Sequence, residues 1–259
     1  KIFRKWINQP YGMVIISGPT GSGKSTTLYA ALSEIMSEDI NITTVEDPVE
    51  YQIPGINQVQ MHDEIGLNFS ASLRSILRQD PDVLLIGEIR DEETADIAVK
   101  FSLTGHLVFS TVHANDAPST ITRLLDLGIP PFLLGSSLNL VMAQRLIRTI
   151  DKDSKEKYTP TNEELERMNL AKDANKIDFY RGKPTNSNHN TGYKGRTAIH
   201  EILQVNSDMR QLIYENANQN AIYETAMKNG MTPLRDAGID KIKSGVTTID
   251  EILRATVED

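Results

Sequence analysis

Gly18, Pro19, Thr20, Gly21, Ser22, Gly23, Lys24 and Ser25 form the run G-x-x-x-x-G-K-S directly after the apolar stretch MVIIS. A strand-to-helix turn of that composition is suited to holding a phosphate. Its glycines let successive backbone N–H groups face one anion, and the helix N-terminus behind them adds partial positive charge. Lys24 then reaches the β- and γ-phosphates, the Ser25 hydroxyl ligates Mg²⁺, and Thr26 follows in the first helical turn. Such a loop says only that a nucleoside triphosphate or a similar phosphate is bound, so the acids must decide the rest. Gly87-Glu88 closes the apolar run 83–86. Glu88 is thereby expected at the carboxyl edge of the sheet, next to Mg²⁺. Glu46-Asp47-Pro48-Val49-Glu50 likewise follows an apolar run and places three carboxylates within one turn. Phosphoryl transfer to water needs a group that orients and deprotonates the water, and Glu50 and Glu46 are both candidates, although each acid taken singly also suits a plain turn.

Two histidines, His106 and His113, flank the apolar run 107–111. A neutral imidazole at that edge can hydrogen-bond the γ-phosphate or the attacking water, and a plain structural histidine fits the spacing equally well. His62, His189 and His200 show no metal-ligand spacing. Arg74, Arg78, Arg90, Arg123 and Arg145 are candidates for stabilising γ-phosphate charge within one subunit or across an interface, while each alone reads more simply as a salt-bridge partner.

The elements that must position these residues follow from periodicity. Short apolar runs at 13–17, 42–45, 83–86 and 107–111 alternate with helical stretches. That is the pattern of an α/β domain with a mainly parallel sheet. Leu28, Ala31, Leu32 and Ile35 share a helix face after the glycine-rich turn. Ser70 is the expected cap of a helix bearing Leu73, Ile76 and Leu77, and a further helix runs through Ala95, Ala98 and Phe101. Asp116 with Pro118 starts another helix that Gly128 ends. The expected organisation is a core over 1–145, an insertion over 146–190 and a mostly helical C-terminal part over 191–259, with stops at Gly230 and Gly245 and a capping box from Thr248 to Glu251. The insertion is rich in Lys, Asp, Glu, Asn and Thr, the composition of a solvated segment.

Composition narrows the function. With 259 residues, 39% of them hydrophobic, the chain can bury a real core. A net charge of −8 offers no general attraction to nucleic acid or anionic lipid. No apolar run reaches the roughly 18 to 20 residues of a bilayer span, so the chain reads as cytosolic. There is no cysteine, hence no disulfide and no thiolate metal site. A first residue of Lys1, with Ile2, Phe3 and Trp6 already amphipathic, reads as a piece of something longer.

The stretches PYGMVIISGPTGSGKSTTLYAAL, TTVEDPVEYQIPGINQVQ, LRSILRQDPDVLLIGEIRDEETADIA and TGHLVFSTVHANDAPSTITRLLDLG, continued by MAQRLIR and GYKGRTAIHEIL, closely resemble the secretion ATPase superfamily in its type II secretion and pilus-extension branch. The resemblance implies a RecA-like P-loop fold and a homo-hexameric ring peripheral to the cytoplasmic face of the bacterial inner membrane. It also implies hydrolysis of ATP with Mg²⁺ at subunit interfaces, coupled to an inner-membrane platform and cytoplasmic adaptor proteins, and no nucleic-acid partner. By the same resemblance Glu50 is the general base with Glu46 as second choice, Ser25 and Glu88 contact Mg²⁺, and His106 and His113 sense the nucleotide state. Many members of this branch hold zinc through two Cys-x-x-Cys pairs. Here those positions fall at about Asp151, Ser154, Thr185 and Asn188, so no zinc site is expected and the segment is expected to be extended and flexible. Two other readings stay open: a nucleotide-dependent assembly module that does not hydrolyse ATP, and a nucleic-acid translocase on the same core, which the acidic balance disfavours.

Overall fold

The run Gly12–Ser17 is buried at every residue, and an uninterrupted apolar stretch of this kind suits a strand covered on both faces of a parallel sheet. In the computed structural model, which describes residues 1–172 and 174–256, this strand sits inside such a sheet. The elements up to the first long strand are α1 (Ile2–Ile7), β1 (Gly12–Ser17), α2 (Lys24–Ile35), β2 (Ile42–Glu46), β3 (Asn57–Gln60), α3 (Phe69–Ile76), β4 (Val83–Ile86), α4 (Glu92–Leu103), β5 (Leu107–Val112), α5 (Ala117–Asp126) and α6 (Pro131–Ser137). There follow β6 (Leu138–Ile150), β7 (Lys155–Lys157), α7 (Asn162–Arg167), β8 (Tyr180–Gly182), β9 (Tyr193–Gln204), α8 (Ser207–Tyr214), α9 (Gln219–Lys228), α10 (Leu234–Lys243) and α11 (Ile249–Ala255). No helix among the described residues is long and apolar enough to cross a membrane.

The chain forms two compact units, each discontinuous in sequence: residues 1–143 with 202–231, and residues 144–201 with 232–256. The expected division at 145 and 190 therefore needs correction. The C-terminal helices are not one subdomain, because α8 and α9 belong to the first unit and α10 and α11 to the second.

In the first unit the strand order is β3-β2-β4-β5-β1-β6, with β9 beyond β6, and the pairs from β3 to β6 are all parallel. Val14 and Ile16 of β1, Leu85 of β4, Phe109 of β5 and Leu140 and Met142 of β6 share one face. They pack with Leu28, Ala31 and Leu32 of α2 and with Ile7 of α1. Each of these side chains larger than alanine, taken fully out of water, contributes about 1.5–3 kcal/mol. That burial fixes where α2 lies on the sheet, and so where the loop before α2 points. The cap of α3 is Asn68, whose side chain accepts from Ala71 N at 2.9 Å, and not Ser70.

The second unit contains the segment expected to be extended and flexible, and the structure corrects that expectation. Leu165, Met168, Leu170 and Phe179 are buried, β7 pairs antiparallel with β8, and Thr161 and Glu164 close a capping box on α7. Asp151, Ser154, Thr185 and Asn188 come together through hydrogen bonds. Asn188 Nδ2 donates to Asp151 Oδ2 at 3.0 Å and to Ser154 Oγ at 3.1 Å, and Thr185 N donates to Asn188 Oδ1 at 2.9 Å. The Asn188 hydrogen bond, opposed by burial, holds the Asp151 carboxyl below its usual range. A few well-placed apolar residues and this polar clip suffice to order a segment whose average composition reads as solvated.

Glu251 in α11 is fully buried, and its carboxylate takes bonds from Arg148 N and Arg148 Nε at 2.8 Å and from Arg254 Nη2 at 2.6 Å. Thr248 caps α11 by accepting from Glu251 N at 3.2 Å. Glu251 itself turns to the arginines, so the expected reciprocal half of the capping box is not what its side chain does. Burial alone would raise the Glu251 carboxyl, but the hydrogen bonds from Arg254 and Arg148 outweigh it and hold the group below its ordinary value of 4.5. A depressed folded-state value stabilises the fold above the unfolded-state value and ceases to do so as pH falls through the folded one. Glu251→Gln is therefore expected to cost about 2–3 kcal/mol at pH 7, near the upper end for hydrogen bonds to charged groups. The gap to the parent should narrow as urea unfolding is repeated below pH 4.5. A gap that does not change with pH would contradict the assignment.

Candidate nucleotide site

The register places four strand ends on one edge of the first unit's sheet. Ser17 of β1 lies opposite Val112 of β5, Ser110 of β5 opposite Ile86 of β4, and Ile86 opposite Val45 of β2. From this edge emerge the phosphate-loop run, the acids 46–50, Gly87-Glu88 and His113.

Backbone conformation in the loop favours glycine at three positions. Gly18, Gly21 and Gly23 have φ of +146°, +77° and +85°, a region that side-chain-bearing residues adopt at a cost. Gly23 caps α2 without a side-chain acceptor, and Thr27 N is bonded to Gly23 O at 3.1 Å. The amides of Ser25 and Thr26 follow in the first helical turn, whose N–H groups point out of the helix N-terminus, the side on which an anion is held. Lys24 Nζ lies back along the loop, donating to Gly18 O at 2.9 Å and Pro19 O at 3.1 Å.

Glu88 is held from both neighbouring strands. Gly87 N donates to Val45 O at 2.8 Å, Thr111 Oγ1 donates to Gly87 O at 2.7 Å, and Ile89 N donates to Thr111 O at 2.9 Å. A Cβ on Gly87 would stand 3.2 Å from Val45 O and 3.3 Å from Glu46 Cα, both backbone atoms of β2. Gly87→Ala is expected to lower stability by about 1–3 kcal/mol through this overpacking, measured as a lower urea midpoint; an unchanged midpoint would mean that β2 yields freely.

The Glu88 side chain is 14% exposed. Arg90 pairs with its Oε1 and lies 4.0 Å from Asp47 Oδ2, while His113 Nε2 stands 3.5 Å from Glu88 Oε2. That Oε2 is buried and makes no hydrogen bond among the described residues. A buried carboxylate oxygen without a donor is costly and suits a cation. Together with the loop amides and Lys24, it makes these residues a fit for a nucleoside triphosphate with a divalent ion of the hard, oxygen-seeking kind.

The two candidate bases stand in different surroundings. Glu46 is 4% exposed: Tyr29 Oη donates to its Oε2, and Thr44 Oγ1 donates to its Oε1 at 2.5 Å, with Gln58 Nε2 at 3.4 Å from the same oxygen. Both oxygens are engaged, and there is no open side from which water could be deprotonated. Glu50 is exposed. Of the two, only Glu50 offers a carboxylate to solvent.

His106 is not brought to this edge within the chain. It precedes β5, at the opposite end of the strand from His113, about 23 Å away for seven residue steps of extended chain. There it stacks on Phe101 with ring centroids 4.1 Å apart, and its Nδ1 lies 3.1 Å from Thr104 Oγ1. Within this chain His106 thus packs at the end of α4, away from the edge that carries the phosphate loop. Of the arginines, Arg74 pairs with Glu93. Arg123 lines a cavity of about 470 Å³ with Gly18, Pro19, His113, Ser119 and Asp126.

The model of the type II/IV secretion system protein family matches residues 1–254. The chain belongs to that family. It is 49% identical to the type II secretion system protein E of Xanthomonas campestris over 98% of its own length and 45% of that protein's. Identity to the type IV pilus assembly ATPase PilB of Myxococcus xanthus is 48% over 99% and 46%. It thus spans about half the length of these curated relatives. Among solved structures, the pilus retraction motor PilT with bound ADP superposes with a TM-score of 0.74 at 27% identity, over all of this chain and 65% of that one. The Legionella pneumophila ATPase DotB superposes with a TM-score of 0.71 at 22% identity, over 97% and 61%, and shares the fold. The RecA-like α/β architecture expected of a type II/IV secretion system protein is the one found.

Sequence reasoning passed over Tyr29, Thr44 and Gln58, which together hold Glu46. A signal existed for Tyr29. It sits among Leu28, Ala31 and Leu32 on the buried side of α2, and a buried tyrosine hydroxyl must find a partner.

Proposed function

We propose that this chain is the ATP-hydrolysing part of a motor for type II secretion or type IV pilus assembly, binding ATP with Mg²⁺ at the edge that carries the phosphate loop. In this reading it works as a homo-hexamer at the cytoplasmic face of the inner membrane, on a membrane platform and cytoplasmic adaptor proteins. The observation that carries the nucleotide reading is the buried Glu88 Oε2 without a hydrogen-bond partner among the described residues, set beside a phosphate loop and His113. The secretion or pilus role is supported by the names of relatives 48–49% identical to it.

Each residue has a definable task. The loop amides and the N-terminus of α2 hold the phosphates, and Lys24 Nζ leaves the Gly18 and Pro19 carbonyls to meet them. Ser25 and Glu88 are the side chains to hold the ion, which when bound neutralises charge on the transferring phosphoryl group. Glu50 takes the proton of the attacking water, and His113, with Nε2 3.5 Å from Glu88, is placed to respond to what Glu88 holds. Arg123 on the cavity wall is the candidate to meet phosphate charge from within the subunit.

The test is phosphate release from ATP with and without Mg²⁺, measured against protein concentration. Release that needs Mg²⁺ and rises more steeply than protein concentration supports a hydrolase whose site is completed by a neighbouring subunit. A linear rise removes the interface from the reading, and no release removes hydrolysis.

A further inference from the structure

Tyr29 lies in α2, the helix that starts at the phosphate loop, with 1% of its surface exposed. Its hydroxyl donates to Glu46 Oε2 and accepts from the backbone N of Glu50 at 3.2 Å, with Gln58 Nε2 at 3.5 Å. A phenol has one proton to give and lone pairs to accept with, and all are used here. Burial, then the hydrogen bond to Glu46, pushes the Tyr29 hydroxyl above its usual range, so it remains a donor at any working pH. Around it the acid stretch is tied at both ends. Gln58 Oε1 accepts from Ile53 N at 2.6 Å, Gln58 Nε2 donates to Tyr51 O at 3.1 Å, and the Tyr51 ring meets the Tyr29 ring edge-to-face with centroids 4.7 Å apart.

We propose that Tyr29 is a positioning residue for hydrolysis: its hydroxyl fixes the main chain at Glu50 to the helix that carries the phosphate loop, with the buried Glu46 carboxylate as anchor. The proposal rests on reading Glu50 as the base. It gives Glu46 a role other than proton transfer, and it makes the place of Glu50 follow the place of α2. A base must sit within hydrogen-bond reach of the water it deprotonates, and a misplacement of about 1 Å costs up to about a hundredfold in rate.

Tyr29→Phe keeps the ring, its burial and its contact with Tyr51, and deletes only the hydroxyl. The expected result is a 10- to 100-fold lower kcat, with KM for ATP and nucleotide affinity within about twofold of the parent. In a Glu50→Gln background the same substitution is expected to cause no further loss of residual turnover, because both changes disable one unit. A kcat within twofold of the parent overturns the proposal, as does a parallel loss of kcat and nucleotide affinity, which marks a purely structural role. Full turnover in Glu50→Gln overturns the base assignment instead, so the two failures are distinct. Native-state hydrogen exchange on the parent chain adds a check that needs no variant: the Glu50 amide is expected to be protected, and exchange at the rate of a free peptide overturns the link even if Tyr29→Phe does not fold.

Discussion

Lys24→Ala is expected to lower phosphate release from ATP at least a hundredfold at saturating nucleotide. In the structure the Lys24 amine has a partly buried place along the loop, bonded to the Gly18 and Pro19 carbonyls at 2.9 and 3.1 Å. Its stem leaves α2 at the first helical residue, directly behind the loop. Removing one fixed donor from the site of developing charge costs about 10²–10³ in rate, roughly 2.7–4 kcal/mol. Affinity for ATP should fall less than turnover, because the loop amides and the helix terminus are backbone groups and survive the substitution. Phosphate release and nucleotide binding measured on the same preparations separate the two effects. A variant that kept a tenth or more of its turnover would place the decisive positive charge elsewhere, with Arg123 the first residue to test.

For Glu50→Gln the expected signature is the opposite in binding and similar in turnover: nucleotide affinity within about twofold, and hydrolysis lower by about 10²–10⁴, the usual worth of general acid–base catalysis. Glutamine keeps the shape of the side chain and removes its ability to take a proton. The expectation is specific to Glu50 because the alternative acid is spent, with Glu46 engaged by Tyr29, Thr44 and Gln58 and nearly closed to solvent. Single-turnover phosphate release measures the chemical step directly. Turnover that persisted in Glu50→Gln would point to an acid supplied by another subunit.

The strands β1, β4 and β5 were legible because burial on both faces favours apolar residues, with Ser17, Ser110 and Thr111 as the few buried polar positions. The phosphate loop was legible because its glycines serve conformation and its Lys and Ser serve chemistry, a pairing with few other uses. Other features had no local signature. β3 reads Asn-Gln-Val-Gln at the sheet edge with only partial burial, so no hydrophobic run announces it. Asn68 outcompeted Ser70 as a cap on a choice of two residues that spacing does not decide. Glu46 and Glu50 look alike in sequence, and only the tertiary partners of Glu46 tell them apart. His106 and His113 are similar in the same way: both flank one strand, but a parallel sheet keeps its ligand edge at one end of each strand, and only His113 is there. The segment after residue 150 misled because composition averages over a few buried residues, among them Leu165 and Phe179, that decide whether a stretch packs.

The discontinuity of the first unit has a consequence for synthesis. Its sheet and helices are complete only when residues 202–231 are present, since Leu203, Val205, Met209, Ile213 and Ile222 are buried with the N-terminal part. On the ribosome, at about 5–20 residues per second, the nucleotide-binding unit must therefore wait with apolar surface uncovered while the whole of residues 144–201 is made. A nascent chain that ends near residue 145 lacks the buried residues of 202–231, and one extended to Met231 is the first to carry all of this unit.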